Sequence, residues 1–213
     1  MRRKQMLTCG IAATFLYVLA NVVCAMLYEG YSSISQTVSE LSAIDAPTRK
    51  LWVPMGILYS LLMIAFGWGV WLSSNGNRLL RIVAILFIAD AAIGLFWPPM
   101  HRREVIAAGG GTLTDTLHIV FTIIHIPAVM FAIGIGAAAL DKKFRIYSVI
   151  TLAALLVFGV LTGIESPGID KGLPTPLIGV WERLLIAVYM IWIVVLSLLL
   201  LYKPVTPATR AIA

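Results

Sequence analysis

An all-α membrane fold, a polytopic bundle of six transmembrane helices, is predicted by three observations. The 213 residues are 60% hydrophobic and only 12% charged, with a mean hydropathy of +0.95, whereas a soluble domain carries about 25% charged residues. The apolar residues gather into six runs, each near the ~20 residues that cross a bilayer. Each run is continuously apolar, where a barrel strand would alternate over ten-residue segments. The same composition excludes a soluble domain and a disordered chain. It also excludes a nucleic-acid binder, because the 16 Lys and Arg residues are scattered between apolar runs and form no basic face.

The first run, 8–28, follows Met1-Arg2-Arg3-Lys4. Its apolar core is too long for a cleaved signal, and Asn21-Val22-Val23 before Cys24 is no lipobox, so it is read as a span. The loop after it holds Ser32, Ser33, Ser35, Ser39 and Ser42, while Ile34, Val38 and Leu41 recur at spacings of four and three. That rhythm predicts a short amphipathic helix lying apolar side down on the outer face, with its serines to one flank, as a lid. The remaining spans are 51–72, 79–97, 113–140, 145–164 and 180–202. Their connections are short, so a single transmembrane domain over 1–213 is expected. Gly159 and Gly163 form a GxxxG motif suited to close helix packing within the bundle. No inverted repeat of the transporter kind is found. Cys9 and Cys24 share one helix, too far apart to bond.

Orientation follows from the basic residues. With a cytoplasmic N-terminus, Arg2, Arg3, Lys4, Arg78, Arg81, Lys142, Lys143, Arg145, Lys203 and Arg210 fall inside, ten of the 16. Both termini are therefore expected in the cytoplasm and the chain in the cell (inner) membrane. Trp52, Trp97, Trp181, Trp68, Trp71 and Tyr202 fall near span ends as interfacial anchors.

An ionisable side chain within hydrocarbon marks a candidate functional site by default. Asp90 lies eight residues before Pro98, about 12 Å below the outer end of its helix. Asn21 falls at a comparable depth, close enough for the two to meet. Asp115, His118, Thr122 and His125, spaced three, four and three, make one stripe on the fourth span. Glu165, Glu182 and Arg183 join them at the outer level, beneath Ser39 and Glu40 of the loop. Together these residues are expected to line an outward-opening polar pocket, with Asp90 and His118 as an acid-base or ligand pair.

Three function classes stay open. The first is recognition or modification of an outer-leaflet lipid, with a loop hydroxyl such as Ser35 or Ser39 as a nucleophile. The others are a small transporter or proton-linked permease and a non-catalytic membrane partner protein. Any metal would fall to Asp90, Asp115 and His118, although HxxxH and HExxH are absent. No cofactor is required by the sequence, the bilayer is the expected partner, and no oligomeric state follows.

Ser39-Glu40-Leu41-Ser42, Asp90, Thr116-Leu117-His118 and Gly179-Val180-Trp181-Glu182-Arg183 resemble, in order, the bacterial and archaeal membrane proteins called domain of unknown function 998. The resemblance covers nearly the whole chain and implies a six-helix membrane protein. More distantly, the loop string is similar to the outer loop of the Frag1/DRAM/Sfk1 group of six-helix proteins. Some of those act in lipid-anchor remodelling or lipid organisation, which implies a lipid-linked role.

Overall fold

The structure is a computed structural model and describes residues 2–202, so Lys203 and Arg210 of the charge pattern lie outside the described residues. It is helical, with no strand among those residues. The helices are α1 (Arg2–Leu27), α2 (Arg49–Ser73), α3 (Arg78–Gly94), α4 (Arg103–Ala107), α5 (Leu113–Ala139), α6 (Lys142–Glu165), α7 (Pro167–Asp170) and α8 (Ile178–Tyr202). A 3-10 turn spans Val38–Ser42.

Local chemistry sets several of these limits. Asn77 and Asp141 cap α3 and α6 by accepting from the amides of Leu80 and Phe144, so each tight connection starts the next helix. Asp115 reaches back to the Thr112 amide at 2.7 Å, which starts α5. After α2 the chain reverses through Asn75 and Gly76, both at positive φ. The predicted spans shift slightly: α1 begins at Arg2, α6 at Lys142, and α3 stops at Gly94, short of Trp97. The short helices α4 and α7 were not anticipated.

Five helices are long and apolar enough to cross a membrane: α1, α2, α5, α6 and α8. With 17 residues, α3 falls below that length. The outward surfaces explain the hydropathy. Met26, Phe131 and Ile164 are 68% or more exposed, an arrangement suited to lipid and costly in water.

Helix α1 packs on α2 and α8, α2 on α3, α3 on α5, α5 on α6 and α6 on α8, so the contacts close on themselves. The core centres on fully buried Trp192, packed against Phe87 and Phe144, with its indole N–H donating to Ser148 at 2.9 Å. Gly69 lets α1 and α2 touch, because a Cβ there would lie 2.8 Å from the Leu7 amide nitrogen. The GxxxG motif is split: Gly159 faces Leu185 of α8, whereas Gly163 faces open space. At one end the loops 28–48, 95–112 and 166–177 gather into a polar cap.

Candidate functional site

The amphipathic segment expected in the first loop is the 3-10 turn. Val38 and Leu41 point inward as its rhythm implies, but Ile34 is 57% exposed. The turn is fastened by the charged groups around it. The Val38 amide donates to Glu182 at 2.5 Å. Glu40, only 3% exposed, takes two bonds from Arg103, at 2.7 and 2.6 Å, and others from Gln36 and the Thr37 amide. Arg103 also donates to Thr175 and to the Ser35 carbonyl, which ties α4 and the chain before α8 to the first loop. The Glu40 bond raises the already high pKa of the Arg103 guanidinium, which therefore keeps its proton.

Arg183 is a second hub. Its guanidinium donates to Asn21, to Tyr31, and to the carbonyls of Ser33, Gln36 and Gly179. Burial pushes the Tyr31 hydroxyl up to about 12 against the lowering influence of Arg183. It therefore keeps its proton and donates to the Thr37 carbonyl at 2.8 Å. Asn21 thus serves Arg183, not Asp90 as expected: the loop carbonyls and Tyr31 hold the guanidinium beside α1, where the amide oxygen accepts from it.

Asp115 accepts from the backbone and ring of His101, at 2.6 and 2.9 Å. Glu165 accepts from the Leu177 amide and the Trp181 indole, which joins the end of α6 to the start of α8. Thr122 turns back to the His118 carbonyl within its own helix. The expected pocket lining is therefore engaged by protein partners, chiefly in fastening loops to helix ends.

The two remaining histidines divide. Asp90 Oδ1 lies 2.6 Å from His125 Nδ1, and the expected pairing with His118 is not formed. The reason is register. On antiparallel helices, Asp90 stands one turn inward of Gly94, where α3 ends and the chain turns to Trp97, and His125 stands two turns inward of His118 on α5. Trp97 meets His118, its indole N–H 3.2 Å from Nδ1, so Asp90 must meet His125 about 10 Å deeper. The Trp97 ring lies edge-on to both imidazoles. His118, 6% exposed, instead has Nδ1 2.7 Å from the Pro98 carbonyl oxygen and Nε2 3.1 Å from Ser39 Oγ.

For a metal, Asp90, Asp115 and His118 do not converge, since each has a different partner. No cluster of three or more His, Cys, Asp or Glu side chains suited to a metal occurs among the described residues.

A crevice beside Asp90, too narrow to admit a water molecule, is lined by Leu86, Phe87, Ala128, Val129, Ala132 and Tyr189. Tyr189 is buried and its hydroxyl has no hydrogen-bond partner among the described residues, a deficit that costs about 1–3 kcal/mol in a protein interior. Arg103, His101, Tyr31 and Tyr189 escaped the sequence reading as site residues. One signal was available for His101: it follows Pro98 and Pro99 at the level where Asp115 begins the next helix.

No curated protein and no solved structure matches the chain. A sequence model of the family described as protein of unknown function (DUF998) matches residues 11–199. That match begins in α1, ends in α8 and takes in the ion pairs of the cap as well as the Asp90 and His118 contacts, so the chain belongs to the DUF998 family.

Proposed function

We propose that the protein is a six-span protein of the cell (inner) membrane, both termini cytoplasmic, that binds an outer-leaflet lipid beside Asp90. In this reading α3 is the sixth span: 17 residues rise about 25 Å, near the thickness of hydrocarbon. An even number of spans returns the C-terminus to the basic, cytoplasmic side. The polar cap then faces outward.

Tyr189 is the observation that carries lipid binding. Among the described residues its buried hydroxyl has no acceptor, and Asp90, on the same crevice, is bonded to His125 through one carboxylate oxygen. A donor and an acceptor between apolar walls suit the hydroxyl or amide of a lipid whose chain remains in the bilayer, and its entry requires those walls to part, because the crevice as it stands has no room for a water molecule. The test is native mass spectrometry of the full chain in mild detergent, with the released lipid identified. We expect a retained hydroxyl- or amide-bearing lipid, at least tenfold depleted in Asp90→Asn and Tyr189→Phe. Release of no lipid by the wild type, and none gained from vesicles of mixed phospholipids, would overturn the reading.

A proton-linked permease is the second reading, favoured by the Asp90–His125 contact, since carboxylate and imidazole chains carry protons in membranes. It requires a polar path to the other end of the helices, where Ser148 is already engaged by Trp192. Proton uptake into vesicles containing the protein, abolished by Asp90→Asn, would favour it over lipid binding.

A further inference from the structure

We infer that Ser39 is a nucleophile and His118 its general base, acting on the carboxylic ester of a lipid. The substrate class rests on the lipid reading above, while the nucleophile rests on geometry of its own.

The first part of that geometry is the tautomer. His118 Nδ1 lies 2.7 Å from the Pro98 carbonyl oxygen. A carbonyl only accepts, so Nδ1 at that distance carries the proton; without it, two lone pairs would face each other. Nε2 therefore presents its lone pair, and 3.1 Å away the Ser39 hydroxyl donates to it. The Trp97 indole N–H also points at Nδ1, but at 3.2 Å against 2.7 Å it is the longer of two contacts that exclude each other, and the nearer Pro98 oxygen takes the ring proton. Nucleophile, base and orienting acceptor thus stand in the order that activates a serine.

The second part is what Ser39 does not do. Several hydroxyls on helices and turns bond backward to their own backbone: Ser42 to Ser39, Thr14 to Gly10, Thr122 to His118, Thr151 to Tyr147 and Thr162 to Phe158. Ser39 instead reaches a histidine 79 positions along the chain. The loop does not depend on this bond for its position. Glu182 holds the Val38 amide, Arg103 holds Glu40, and Thr48 donates to the Leu41 carbonyl. Ser39 rides on a turn clamped on both sides, half-buried above a buried base.

Depth gives the substrate. Ser39 and His118 stand level with Trp97 at the end of the apolar run, where the ester carbonyls of glycerolipids lie and the deeper chain surface is apolar. Ser39 Oγ bonds to the ester carbonyl carbon as its proton passes to His118 Nε2. The bond from that carbon to the alkoxy oxygen then breaks, and the alcohol leaves with the proton from Nε2. Water cleaves the acyl-Ser39 ester with His118 taking its proton and returning it to Ser39 Oγ. No oxidant, reductant or metal enters the balance.

The test treats the full chain in mild detergent with a long-chain alkyl fluorophosphonate and maps the adduct by mass spectrometry. We expect the adduct on Ser39, none in Ser39→Ala, and labelling slowed at least about 100-fold in His118→Gln, the contribution of a general base. Native mass spectrometry of the same variants reports the lipid separately. No adduct on Ser39 of the wild type, or an undiminished rate in a folded His118→Gln, overturns the inference even where lipid is retained. Labelling of Ser39 with no lipid retained supports the nucleophile and overturns the lipid reading instead. Should His118→Gln fail to fold, the wild-type adduct and its loss in Ser39→Ala still decide.

Discussion

Glu40 and Arg103 meet through two parallel hydrogen bonds, 63 residues apart in the chain, with the Glu40 side chain buried and that of Arg103 21% exposed. Removing one partner strands the other, a loss of about 3–5 kcal/mol for fully buried pairs. Because Arg103 keeps some solvent, Arg103→Ala is expected near the lower end, roughly 3 kcal/mol. Arg103→Lys should recover little, since a single ammonium cannot reproduce the fork. Thermal unfolding in detergent, with limited proteolysis of residues 29–48, measures both effects.

The Asp90–His125 contact is tested by a double-mutant cycle of Asp90→Ala and His125→Ala. Hydrogen bonds between membrane helices average about 0.6 and reach ~1.7 kcal/mol, so a coupling energy in that range is expected. A cycle of Asp90→Ala with His118→Ala should give a coupling near zero, because those two residues make no contact. Unfolding in mixed micelles, from which the coupling free energies follow, provides the measurement.

That contrast marks how far the sequence carries the site. Composition and run length were enough for a helical membrane chain, but helical rise alone overstates the distance from Asp90 to Pro98, because α3 ends at Gly94 and the chain turns before the proline. Choosing its partner needed the register of α3 against α5, which is set by Trp97 meeting His118 beyond the end of α3 and cannot be read from either helix alone. The cap was harder still. Arg103 reads as one more basic residue of a loop until the chain brings it to Glu40, and Tyr189 reads as core until its hydroxyl is found unpartnered. Periodicity reveals which face of a helix is polar, but not which loop folds over it.

Tyr31 sets an alkaline limit on the cap. Its hydroxyl titrates at about 12 in the folded chain, against ~10 when exposed. Between those values the unfolded chain has already lost this proton while the folded chain retains it. Stability therefore falls as pH rises through the window and is unaffected by this group below it. Tyr31→Phe should start less stable, having lost the bonds to Thr37 and Arg183, and should decline less steeply above pH 10. Melting midpoints of both proteins from pH 8 to pH 12 report the difference in slope.

Gly179 is where the first loop lies directly on α8. The Ile34 carbonyl accepts from the Gly179 amide at 3.0 Å and from Val180 at 3.3 Å, satisfying the first amides of the helix. A Cβ at Gly179 would overlap the carbonyl oxygens of Ser33 and Gln36, which belong to backbone and cannot rotate away. Gly179→Ala is therefore expected to cost about 1–3 kcal/mol, as overpacking does, and to lift residues 33–36 from the helix. Because Arg183 holds the same carbonyls, the variant should also free its guanidinium from the loop. Faster amide hydrogen exchange over residues 31–40, with exchange unchanged at the distant α2–α3 connection, would report a local release; equal acceleration at both would point to global destabilisation instead.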